Sequence, residues 1–253
     1  LRVPGRVDVD ERRVARLGTS VTGRVNDIEV TVGQDVRRGE RLATLTSTEL
    51  STAQLDFLKA YSQRGLAERA AQRADRLYEA DVIGQAELQR RVAELRQADA
   101  ELSASRNQLM VLGMSERNVR NLSETGRVDS IATVVSSIDG IVVERRVTRG
   151  QVVQPADTMF VVADLSNVWL VADVPEQDAA ALAPGKTLEA EVAALPGTRV
   201  TGKVAFVAVS VDEATRTVKV WMDLANPDRV FKPAMLATVM LKARPEQVRA
   251  VPA

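Results

Sequence analysis

The 253-residue sequence predicts an α+β, elongated multidomain chain, in which a long α-helical hairpin is inserted into a split β-sandwich and followed by an antiparallel β-barrel. Three observations predict it. A β-like stretch at residues 20–47 recurs without a gap at residues 137–164, an offset of 117. Between the copies the texture changes to Ala, Leu, Gln, Glu and Arg, which are helix formers. From Val168 onward, short β-branched runs alternate with Gly and Pro punctuation.

Taken in order, Leu1–Val9 reads as a strand that joins the barrel or a missing neighbour, within a first segment of residues 1–13. The split sandwich occupies residues 14–47 and 130–166. Its copies share Gly23/Gly140, Val25/Val142, Val30/Val147, Gly33/Gly150, Gln34/Gln151 and Val36/Val153. Val30 and Val32 alternate with polar neighbours, the period of a half-buried strand. The four repeated glycines, Gly23, Gly33, Gly140 and Gly150, are expected at structural turns, with positive φ at Gly33 and Gly150. Each copy is too short to bury a face alone, so the two should pack as one module.

Residues 48–129 hold the hairpin and a short third helix. Leu88, Leu95, Leu102 and Leu109 recur every seven residues, and Ala98, Ser105 and Leu112 follow three behind. That is the a/d seam of two closely packed antiparallel helices. The first arm carries Leu55, Leu58, Leu66, Ala70 and Leu77 at looser spacing. The chain turns at Asp81-Val82-Ile83-Gly84-Gln85, with Gly84 as the turn residue. Ser115 reads as the N-cap of the third helix, which ends near Gly126. The barrel is expected over residues 167–245, interrupted by a helical turn at Glu176–Leu182, and residues 246–253 read as the start of a truncated domain. Flexibility is expected at the junctions near 47–49, 126–130 and 165–168.

Composition narrows the function. Lys+Arg and Asp+Glu are equal at 34 each, so no excess of positive charge favours nucleic acid. The absence of Cys excludes disulfides and thiolate chemistry, and the absence of His removes the commonest general base and metal ligand. Catalysis by carboxylates or by Ser and Lys remains open but is not expected, and no strong Zn, Co or Ni site is offered. Asp173, Glu176 and Asp178 are read as solvent-facing carboxylates around a short helix. The methionines (Met110, Met114, Met159, Met222, Met235, Met240) could offer soft thioether ligands but sit at apolar positions, where they fill core gaps. No run is long enough to span a membrane. The sequence opens on Leu1, which suggests a processed or trimmed piece.

The split β-module interrupted by a hairpin, followed by Val168-Trp169-Leu170-Val171-Ala172, Pro184-Gly185, Leu195-Pro196-Gly197, Gly202-Lys203-Val204, the run Asp212 to Val220, and Asn226-Pro227 with Lys232-Pro233-Ala234-Met235, resembles the periplasmic adaptor, or membrane-fusion, proteins of tripartite efflux pumps. The half-modules look like a biotinyl/lipoyl domain, giving a lipoyl-like sandwich. In carriers of that type a lysine on the turn between the halves is modified, whereas here the hairpin takes its place and Lys59 lies inside a helix. The resemblance implies no cofactor. Leu112-Gly113-Met114-Ser115 before a short helix is similar to the heavy-metal-efflux branch.

As an implication of that family, the partners are an inner-membrane resistance-nodulation-division (RND) transporter and an outer-membrane, TolC-like channel. Six copies would assemble in the pump, in the periplasm, tethered to the inner membrane by a missing N-terminal segment. Residues 246–253 would open a membrane-proximal domain. Arg76 and Leu77 match the Arg and Leu of the channel-docking tip, and Gly84 stands where adaptors commonly have Ser. The plain alternative is an ordinary exposed/core pair on a helix. Adaptors of drug or type I secretion systems share the architecture, and a biotin/lipoyl carrier is a further alternative.

Overall fold

The computed structural model describes residues 1–195 and 197–241. Pro196 and residues 242–253 lie outside the described residues, and with them the expected domain start at 246–253. In chain order, β1 (Arg2–Val9) and a 3-10 turn (Glu11–Arg13) lead to β2 (Val14–Leu17), β3 (Gly23–Ile28), β4 (Asp35–Val36) and β5 (Arg41–Thr46). Helices α1 (Thr48–Glu79), α2 (Gln85–Val111) and α3 (Glu116–Thr125) follow. The second copy supplies β6 (Ile131–Val135), β7 (Gly140–Arg145), β8 (Val152–Val153) and β9 (Phe160–Ala163). The rest is β10 (Asn167–Pro175), α4 (Glu176–Ala179), β11 (Thr187–Val192), β12 (Arg199–Val207), β13 (Thr217–Ala225) and β14 (Leu236–Met240). Two compact units result, one of Leu1–Ala15, Ile138–Ile141 and Val162 onward, the other of Arg16–Ser137 and Val142–Val161.

In the first unit, strands in the order β1-β10-β13-β12-β11-β14 close into an antiparallel barrel. Its interior follows from period-2 alternation, with Val168, Leu170, Ala172 and Val174 of β10 facing Val218, Val220, Met222 and Leu224 of β13 inside one apolar cluster. Each Val, Leu or Met side chain so taken out of water contributes roughly 1.5–3 kcal/mol. β1 completes the closure by pairing with β10 and β14, so no sheet edge is left open.

The two sequence copies do not form separate sheets. One sheet runs β6-β5-β3-β8 and the other β2-β9-β7-β4, so each takes two strands from each copy. The exchange repeats the sequence offset. Gly33 N–H donates to the Val142 carbonyl at 2.8 Å, and Gly150 N–H donates to the Val25 carbonyl at the same distance. Val142 N–H reaches the Gln34 carbonyl at 3.0 Å, and Val25 N–H the Gln151 carbonyl at 2.9 Å. Gly33 and Gly150 have φ of +89° and +83°, the left-handed region that glycine enters without steric cost.

Gly23 and Gly140, expected at turns, instead open strands β3 and β7. A Cβ at Gly23 would sit 2.7 Å from the Thr46 carbonyl oxygen, and one at Gly140 would sit 2.6 Å from that of Ala163. Close strand approach, not turn geometry, requires glycine at both.

The helices have 32 and 27 residues, about 48 and 40 Å at the usual rise. On α2, Ala98 and Leu109 are buried as the heptad spacing requires. On α1 the buried line is Leu50, Gln54, Phe57, Ala71 and Ala74, while Leu55 and Leu66 are exposed. The looser leucine spacing thus misplaced the seam of α1. A polar residue stands within the heptad line Leu50, Phe57, Arg64, Ala71, where Arg64 bonds Asp99 on α2 at 3.0 Å and Glu68 on its own helix.

Candidate functional site

The hairpin tip holds the docking residues expected from the sequence. Arg76 and Leu77 lie in the last turn of α1, and Gly84 is the N-cap of α2. The connection is tight. The Arg76 carbonyl accepts Ala80 N–H at 3.2 Å, the Leu77 carbonyl accepts Val82 N–H at 2.8 Å, and the Gly84 carbonyl accepts Glu87 N–H at 3.1 Å. The left-handed residue is Asp81, with φ of +55°. Gly84 has an extended backbone, φ −81° and ψ 161°, which any residue adopts. The turn therefore does not depend on glycine at 84, contrary to the expectation, because Asp tolerates the left-handed region. A side chain at 84 would meet open space.

The tip exposes apolar side chains among charged ones. Leu77 is 43% exposed, Tyr78 39% and Val82 65%, beside an Arg76 that makes no side-chain bond among the described residues. Tyr78 and Val82 were not among the expected docking residues, since exposure at a helix end and in the turn beyond it depends on where the partner helix begins. Just inside the tip, Glu87 accepts from both Arg90 and Arg91, which holds its carboxyl below the ordinary value although desolvation pushes the other way. Aromatic and Arg side chains are the types enriched at protein contacts.

Other candidates behave differently. Lys59 lies within α1. Among the described residues, no group of three or more Asp or Glu is placed to hold a metal ion. Met159 and Met222 are buried, while Met110 is 40% exposed, so it fills no core gap. Asp173 pairs with Lys219 at 3.0 Å. In the first unit the Asp10 carboxylate is fully buried and receives two hydrogen bonds from the Arg12 side chain. Burial pushes its pKa up, but the Arg12 bonds and charge outweigh this and hold it below the ordinary value. Arg12 also bonds Asp223 and lies 5.3 Å over the Trp169 ring, fastening the chain from β1 to the barrel.

A closed barrel, a strand-exchanged two-sheet module and a hairpin inserted between its halves place the chain in the class of membrane fusion proteins. More particularly, residues 13–164 match the CzcB-like, barrel-sandwich hybrid domain, and the chain belongs to that family. Residues 167–245 match the CusB-like, beta-barrel domain. The cobalt-zinc-cadmium resistance protein CzcB of Cupriavidus metallidurans is 25% identical over 239 residues, covering 94% of this chain. The chain spans 44% of that relative's length. The crystal structure of ZneB from Cupriavidus metallidurans is similar, with TM-score 0.58 and 25% identity over 95% of this chain and 69% of that one. A MacA-MexA chimera carrying the Pseudomonas aeruginosa MexA α-hairpin domain superposes with TM-score 0.70 over 94% of this chain and 79% of its own, at 19% identity, a likeness of fold.

Proposed function

We propose that this chain is the coupling section of a periplasmic adaptor that links an inner-membrane RND transporter to an outer-membrane, TolC-like channel, with heavy-metal cations as cargo. The observation that carries the reading is the hairpin itself. It occupies the place where a carrier domain presents its modified lysine, and it ends in an uncovered tip of Leu77, Tyr78 and Val82 beside Arg76. The module thus transmits position instead of carrying a group. Six copies surround the conduit, and a preceding segment tethers each to the inner membrane. Similarity to the cobalt-zinc-cadmium resistance protein CzcB supports the cargo class.

Two experiments test the reading separately. Arg76→Asp reverses a charge at an exposed position and should weaken pull-down of the channel while leaving the unfolding curve unchanged. Unaltered capture would return Arg76 to an ordinary surface residue. Deleting the gene should lower tolerance to zinc, cobalt, cadmium, copper or silver. Unchanged metal tolerance with increased drug sensitivity would move the cargo to small organic molecules.

A further inference from the structure

The two ends of the hairpin, expected to be flexible, are tied to each other. Ser47 N–H donates to the Ser130 carbonyl at 2.8 Å, closing the exit strand onto the entry strand. Two turns into α1, the Gln54 side chain is 2% exposed and spans to the same returning segment. Its Nε2 donates to the Asp129 carbonyl at 2.7 Å, and its Oε1 accepts Asp129 N–H at 2.8 Å. The carboxamide therefore satisfies both polar groups of one backbone residue, as a neighbouring strand would. An ionised Glu could only accept, Leu could do neither, and Asn is one methylene short.

Neighbouring bonds hold the same two segments in register. Ser47, itself buried, caps α1 by accepting Leu50 N–H at 3.2 Å, and Glu49 accepts Thr22 N–H at the same distance. Asp129 Oδ1 accepts Ile131 N–H at 2.9 Å, setting the first residue of β6. Leu50 and Phe57 pack with Val21, Leu109, Val119 and Leu122 in one cluster that excludes water from the root. Gln54 and Ser47 are buried while Asp129 is exposed, so rotating the hairpin would leave the Gln54 carboxamide unpaired in the apolar root.

We infer that Gln54 is the positioning residue that fixes the direction of the hairpin on the β-module, so that its root is a locked joint. Movement of the tip then follows movement of the module. This inference concerns the chain alone and goes beyond the coupling role, so either can fail without the other.

The absence of cysteine makes the test direct. Spin labels at Val82→Cys on the tip and Val32→Cys on the β-module report one distance in the full chain. The parent should give a narrow distribution, broadened in Gln54→Ala at an unchanged far-UV spectrum. The Asp129 amide should exchange about tenfold faster in that variant, the effect of losing a pair of net hydrogen bonds. Gln54→Glu keeps the shape and adds a check that a purely structural residue would not pass. Its carboxylate cannot donate to the Asp129 carbonyl, but its protonated form can, so acidification should narrow the distribution again. A broad parent distribution overturns the locked joint. An equally narrow Gln54→Ala overturns the role of Gln54, and if that variant does not fold, a pH-independent distribution in Gln54→Glu does the same.

Discussion

The two copies of the β-module build the same backbone from different residues. In the first, Glu40 N–H donates to the Arg37 carbonyl at 2.9 Å across a turn whose third residue, Gly39, has φ +83°. In the second, 117 residues on, Asp157 N–H donates to the Gln154 carbonyl at 3.1 Å across the same turn, and the third residue is Ala156 at φ +89°. Even the side-chain bond repeats, Glu40 accepting Arg37 N–H and Asp157 accepting Gln154 N–H, each at 2.8 Å. A positive φ at the third position marks a type II turn, which wants glycine there and accepts proline before it. The second copy lacks the glycine and has Pro155. Proline narrows the unfolded chain toward the turn and offsets part of the strain at Ala156. Backbone geometry was thus preserved while the residue that makes it easy was exchanged for one that makes it predisposed.

The comparison can be broken at three levels. The largest effect is expected where both copies need glycine for space. Gly23→Ala and Gly140→Ala each drive a Cβ against a carbonyl oxygen in the adjacent strand, which cannot yield without breaking the sheet. Each should cost about 3 kcal/mol in urea unfolding. Clearly unequal losses would show that the copies are not equivalent load paths.

At the second level the copies should respond with opposite signs. Gly39→Ala meets no atom, so it pays only backbone strain and should lose about 1 kcal/mol. Ala156→Gly relieves that strain and should raise stability by up to about 1 kcal/mol, less the entropy glycine adds to the unfolded chain. A destabilised Ala156→Gly would mean that Pro155 already removes the strain.

The smallest effect concerns charge. Asp27 pairs with Arg149, which holds its carboxyl below the ordinary value, yet the positions matched by the offset are Glu144 and Val32 and make no such pair. Because the Asp27–Arg149 pair is solvent-exposed, Asp27→Asn should leave the thermal midpoint unchanged. A measurable drop would show that the asymmetric pair contributes to the module.

Much of this architecture was legible in the residues. The offset of 117 located both copies, and the leucine heptads of α2 located a helix whose Ala98 and Leu109 are buried. The hairpin tip was legible in part. Arg76, Leu77 and Gly84 do lie together, but Tyr78 and Val82 were invisible because exposure at a helix end depends on where the partner helix stops. Gly84 was misread because a glycine near a turn looks like its cause, whereas Asp81 takes the left-handed conformation. The seam of α1 was misread because Leu55 and Leu66 carry the pattern but not the contact.

The sequence by itself determined local matters: which segments are helical or extended, that Gly33 and Gly150 need positive φ, and that the β-module has two related copies. These depend on residues within a few positions of each other, and periodicity records them. Only the tertiary structure decided that each sheet takes strands from both copies, that Gly23 and Gly140 face carbonyls, and that Gln54 grips Asp129 across 75 residues. Those pairings are long-range. A buried amide can be recognised as a clamp only when the backbone groups it satisfies have been brought to within hydrogen-bond reach.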